Sequence, residues 1–150
     1  MEYARNVLAI ADAEHAETAP EAPYLVISPL TCSLVGTAQT IKLLPGTLAY
    51  QVYEKDEVTE QFMCNYGLNP AYRDSISTGG LKVVGLDTAG EVRAVELSAH
   101  RFFIATLFLP QLSSGPDMPH PLIVAYLREA QAFHAFQNDA PRSGRSWWRG

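Results

Sequence analysis

Apolar positions recur along this chain in two rhythms, and the rhythm changes mark its elements. In residues 2–10, Tyr3, Val7, Leu8 and Ile10 fall close to one face at helical spacing, which predicts a helix. That helix starts at the first residue with no capping residue before it, a pattern expected of a chain that continues something longer. Residues 11–23, ADAEHAETAPEAP, are acidic and proline-bearing and read as a loop. YLVIS (24–28) is a continuous apolar run of the buried-strand kind. Residues 33–44 read as one or two strands, and Pro45-Gly46 marks a turn. Residues 47–53 fit either a short helix or a strand: Leu48, Tyr50 and Val52 alternate, yet Leu48 and Val52 also stand at i,i+4. Residues 57–69 read as extended through Tyr66. A helix is expected over 70–78, with Asn69 as its cap, Pro70 at its first position and Gly79-Gly80 closing it.

Two strands, 81–86 and 92–97, flank a DTAG hairpin turn, and 102–108 is the most apolar strand of all. The last helix is expected from about Pro121, capped around His120, to about Phe136. Leu122, Val124, Ala125, Leu127, Ala132 and Phe133 would be its buried stripe. Strands in the middle and helices at both ends give an α/β or α+β class.

Composition narrows the picture. At 150 residues one domain is expected, placed over 1–138, with a flexible tail at 139–150. The hydrophobic fraction of 47% and charged fraction of 18% are those of a globular protein. A net charge of −5 argues against nucleic acid as a partner, because phosphate binding needs a basic face. The last ten residues, PRSGRSWWRG, reverse that sign, and Trp147 and Trp148 make them sticky. No apolar run is long enough to span a membrane, and the acidic N-terminus is unlike a signal peptide, so a cytoplasmic protein is expected. Cys32 and Cys64 read as reduced thiols. The four histidines lie far apart and no zinc spacing is present. Asp12, Glu14 and Glu17 cluster with His15, but on a loop without a rigid element to fix a coordination geometry. Neither metal nor cofactor is expected.

A buried strand ending in a polar turn is a common seat for catalytic side chains. FFIATLFLPQLSS (102–114) has that form, yet Leu109, Pro110 and Gln111 can neither carry a proton nor attack a carbonyl. Cys64 reads as a small buried hydrophobe, His100 as a loop histidine, and His120-Pro121 as a helix start.

Four segments in order explain the empty corner by resemblance. The opening MEYARNVLAIADAEHAE is similar to the ARNV helix that follows the nucleophile elbow in class I glutamine amidotransferase domains of the CTP synthase type. LVGTAQTIKLLPGTLA resembles the family's GGTMRLG…LKPGSLA, and NYGLNPAYRDSISTGGLKVVGLDTAGEVRAVELSAHRFFIATLFLPQLSS its RYEVN…VEIVELPDHPFFVATQFHPEF. MPHPLIVAYLREA is similar to RPHPLFxGFVxAA. The likeness is closer still to short bacterial proteins related to the CTP synthase C-terminal region, some of which carry selenocysteine. It implies an α/β, flavodoxin-like three-layer domain, here incomplete, without its N-terminal strands and elbow. In the family a cysteine attacks the glutamine amide, a histidine takes the thiol proton, and a glutamate orients the histidine. The last two come from an HPE triplet that here is LPQ, so Leu109 stands for the histidine and Gln111 for the glutamate. The substrate-binding glutamate is matched by Glu17, whereas the family's HRYE is CNYG, with Cys64 for histidine and Asn65 for arginine.

The resemblance therefore implies a chain inactive as a glutaminase. Two alternatives stand beside that. One is the C-terminal part of a longer cysteine- or selenocysteine-dependent enzyme, whose selenol would ionise without a base. The other is a non-catalytic binding or regulatory module. The implied partners are a small amino-acid-like ligand and, through exposed apolar surface, further copies of the chain.

Overall fold

The computed structural model describes residues 1–139, so the tail expected over 139–150 lies, from residue 140 onward, outside the described residues. Its largest element is a five-stranded antiparallel sheet. The strands are β3 (Thr37–Leu43), β4 (Glu57–Phe62), β6 (Leu81–Asp87), β7 (Val92–Leu97) and β8 (Ile104–Thr106), in the spatial order β4-β3-β6-β7-β8. A smaller sheet, ordered β1-β2-β5, holds β1 (Ala13–His15), β2 (Tyr24–Pro29) and β5 (Tyr66–Leu68); β1 runs parallel to β2. Four α-helices complete the order: α1 (Glu2–Asn6), α2 (Leu48–Tyr53), α3 (Arg73–Thr78) and α4 (Pro121–Asp139).

Several expectations hold in detail. The loop 87–90 closes a β6–β7 hairpin because Asp87 Oδ1 accepts from the N–H groups of Ala89 and Glu91, both at 2.9 Å, while Gly90 takes φ 83°. Asn69 Oδ1 accepts from Ala71 N–H, and Pro70 opens a 3-10 turn that runs into α3. Of the ambiguous residues 47–53, Leu48–Tyr53 are helical. Thr47 caps α2 by accepting from Tyr50 N–H, and the buried Glu96 carboxylate of β7 accepts from Leu48 N–H at 2.8 Å and Ala49 N–H at 3.3 Å. A distant carboxylate thus settles a choice that local spacing left open.

Other expectations are corrected. The first helix stops at Asn6, and Ala9 at φ 55° turns the chain away. The supposed loop 11–23 contains β1, where Ala13 is fully buried and pairs with Tyr24. The extended stretch 57–69 breaks between β4 and β5, at residues 63–65. The apolar strand 102–108 pairs only over Ile104–Thr106, and Phe108 leaves the ladder to fill the main core.

That core gathers Ile41, Leu43, Phe62, Val84, Phe108 and Leu122 under α2 and α4, with Phe62 and Phe108 edge to face at 6.0 Å. A second cluster of Ala4, Ala13, Val26, Ile76 and Leu81 ties α1 and α3 to the small sheet. The stripe expected on α4 is only partly covered. Leu122 is buried and Val124 and Ala125 are half-buried, but Leu127 is 59% exposed and Phe133 42%.

Candidate functional site

The corner after β8 is built by backbone. Leu107 N–H donates to Arg93 O and Leu109 N–H to Gln61 O, both at 2.9 Å. Pro110 then starts a 3-10 turn, Pro110–Ser113, in which Leu112 N–H reaches back to Leu109 O. Leu109 is half-buried and Gln111 is exposed. Their side chains are a hydrocarbon and a neutral amide, so neither moves a proton at neutral pH.

The break between β4 and β5 brings Cys64 to this corner. Its Sγ donates to Leu107 O at 3.6 Å, and burial pushes its pKa up although the Arg93 charge pulls the other way. A thiol held in its neutral form is a poor nucleophile. The neighbouring Asn65 is exposed and uses its carbonyl to accept from Leu30 N–H at 2.8 Å. Glu17 is also exposed, on a turn that His15 organises: His15 Nδ1 accepts from Glu17 N–H, and its ring packs on Tyr66 at 5.0 Å. The fold therefore draws the turn carrying Glu17 to the residue next to Asn65, and Cys64 to the strand leading into Leu109. It gives Glu17, Asn65 and Gln111 no partner through their side chains among the described hydrogen bonds. The acidic cluster around residues 12–17 is divided: Glu14 pairs with Arg5 at 2.8 Å, and His15 is committed to its own turn. His100 is an exposed loop histidine whose Nδ1 lies 3.1 Å from Phe102 O, as its position suggests.

A buried polar cluster of three side chains is one that sequence reasoning missed. Tyr53 at the end of α2, Glu60 on β4 and His120 before α4 are all buried. Tyr53 Oη donates to Glu60 Oε1 and lies 3.2 Å from His120 Nε2, which is itself 2.9 Å from the same carboxylate oxygen. His120 Nδ1 accepts from Leu122 N–H, placing the ring proton on Nε2, from which it donates to Glu60. Burial first, then the hydrogen bond to Glu60, drives the Tyr53 pKa far above its ordinary value. The one sequence signal was His120 at a helix start, and its partners lie too far along the chain to be read locally.

No family model matches the chain. Its sequence is similar to CTP synthases: 35% identical over 139 residues to that of Sulfurisphaera tokodaii, covering 87% of this chain and 26% of that protein. The CTP synthase of Pelotomaculum thermopropionicum is 36% identical over 143 residues, covering 89% of this chain and 27% of the relative. The chain thus spans about a quarter of the length of these relatives. Among solved structures it is similar to the glutaminase domain of Trypanosoma brucei CTPS with bound acivicin, at TM-score 0.82 and 25% identity, covering 87% of this chain and 55% of that one. Sequence and fold agree with the resemblance read from the motifs.

Proposed function

We propose that this chain, whose sequence kinship and mixed α/β fold are those of the glutamine amidotransferase domain of CTP synthases, does not hydrolyse glutamine with residues of its own. The observation that carries this reading is the corner after β8, which presents Leu109 and Gln111 where the resemblance implies a histidine and a glutamate. Amide cleavage needs a group to take the proton of the attacking atom and return it to leaving ammonia. A leucine has no site for that proton, and a glutamine cannot stabilise an imidazolium by charge. Cys64, close to the corner, is held in its neutral form by burial. Asn65 in place of arginine removes the bidentate, charge-assisted contact to a substrate carboxylate that the resemblance implies.

In place of catalysis we propose a non-catalytic binding role toward a small amino-acid-like ligand, for which the resemblance points to Glu17, Cys64 and Asn65. Nucleic acid is disfavoured by the net charge of −5. Among the described residues no helix is long and apolar enough to cross a membrane. A cytoplasmic location belongs to the same proposal and rests on the kinship with CTP synthases. The test is ammonia release from glutamine by the purified chain, with an intact CTP synthase as the positive control. Background release supports the reading and enzymatic turnover overturns it.

A further inference from the structure

The large sheet ends at β8, whose outer side pairs with no other strand among the described residues. Two bonds fix the phase of its ladder with β7: Leu97 N–H donates to Phe103 O at 3.2 Å, and Leu107 N–H to Arg93 O at 2.9 Å. Ala105 stands opposite Val95 between them, so alternation turns the N–H and C=O groups of Ile104 and Thr106 to the outer side. Among the described residues no hydrogen bond reaches those groups. Sheets usually guard such an edge with a charge, a proline or a bulge. Residues 102–108, FFIATLF, contain no charge or proline, and the β7–β8 register has no shift. A groove of about 320 Å³ runs along this edge under α4, with Ile104, Thr106 and Pro110 on one side, Ile123 and Tyr126 on the other, and no charged side chain in its wall. Beyond Tyr126 it continues to Ala130 and Phe133, which share one stripe of α4 with Ile123 and Tyr126.

We propose that the edge of β8 is a dimerisation surface, covered by the same edge of a second copy paired antiparallel across a two-fold axis at Ala105. Electrostatics select a copy as the occupant. Donors and acceptors alternate along the edge, and a copy turned through a two-fold presents them in the opposite order. Ile104 N–H donates to the carbonyl of the partner's Thr106, Thr106 N–H donates to that of the partner's Ile104, and each carbonyl accepts in return. At a net charge of −5 two copies repel, so a lasting contact lies on uncharged surface, which this groove provides. The area agrees. Phe103, Tyr126, Leu127 and Phe133 are 41–59% exposed and leave about 400 Å² of side chain open. That is about half of the ~800 Å² each side of a stable complex covers, close to the apolar share of ordinary interfaces. The axis sets both α4 helices on one face of a continuous sheet, with their apolar stripes side by side. The pairing holds whether or not the chain hydrolyses glutamine.

Amide exchange in the full chain, read beside light scattering, tests this. The Ala105 N–H, which faces Val95, is expected to be protected at every concentration. The Ile104 and Thr106 N–H groups are expected to become protected only as the mass rises to that of two chains. Ala105 is exposed, so a lysine there is accommodated in the single chain. In the dimer Ala105→Lys sets two like charges on Cα atoms about 4.5 Å apart. It is expected to abolish both the dimer and the protection at Ile104 and Thr106, with the far-ultraviolet dichroism unchanged. A monomer at every concentration, a dimer in which those two amides exchange as fast as in the monomer, or a dimer that persists in Ala105→Lys overturns the proposal. Protection of both amides in a monomer overturns it as well and assigns the edge to a segment of the same chain. The wild-type exchange decides even where the variant does not fold.

Discussion

Sixty positions apart in the chain, Glu60 and His120 meet in the core with Oε1 and Nε2 2.9 Å apart. Tyr53 shares the same carboxylate oxygen, so α2, β4 and the start of α4 are joined at one buried point. Removing one member leaves the others unpaired in low dielectric. His120→Ala is expected to destabilise the fold by about 3 kcal/mol, since it also removes the acceptor for Leu122 N–H. Tyr53→Phe keeps the packing and loses only the hydroxyl, at a cost of about 1–2 kcal/mol. Urea unfolding of the two variants checks both the size and the order of these losses.

Tyr53 also sets an alkaline limit. Its pKa in the folded chain lies above the ordinary value of 10.0, chiefly through burial. The folded state therefore keeps a proton that the unfolded state releases. The sign follows: this contribution to stability is fully present below pH 10 and is lost as pH rises beyond it, at about 1.4 kcal/mol per pH unit. Unfolding free energy measured between pH 8 and pH 11 is expected to fall more steeply in the wild-type chain than in Tyr53→Phe. Equal slopes would show that the phenol is not protected.

The two thiols should separate chemically. Cys32 is exposed, whereas burial raises the Cys64 pKa above 9.0 and its Sγ is engaged with Leu107 O. Alkylation at mildly alkaline pH is expected to modify Cys32 about tenfold faster. Peptide mass spectrometry over a time course reads the ratio, and a faster Cys64 would mean an activated thiol beside the corner.

The uncovered face of α4 bears on association. Tyr126, Leu127 and Phe136 are each more than half exposed, and Phe133 is covered on one side by the Arg101 guanidinium at 4.8 Å from its ring. An apolar strip of this kind on a helix favours a second copy as its cover. Light scattering is expected to show a mass above one chain that falls in Leu127→Glu, whereas a wild-type monomer across the concentration range would remove this partner.

The elements legible in the sequence were those whose cause is local. The β6–β7 hairpin follows from Asp87 and Gly90 within one turn, and the entry to α3 from Asn69 and Pro70. The illegible ones depend on distant partners. Residues 48–53 are helical because Glu96 reaches across from β7. Ala13 became a strand residue because β2 lay beside it, in a segment whose composition says loop. The period of α4 states only which residues share a face and not whether anything covers it. Of the site, the chemistry missing at Leu109 and Gln111 was visible in one line of sequence. The pairing of His120 with Glu60 is a property of packing alone.

Ammonia release from L-glutamine tests most directly whether the corner at Leu109 and Gln111 is without a proton carrier. The purified chain, followed by a coupled ammonia assay beside an intact CTP synthase, is expected to release no more than buffer does. Turnover on the order of 1 s⁻¹, within the ordinary enzymatic range, would contradict it and would mean that some other group in the chain takes the proton Leu109 cannot.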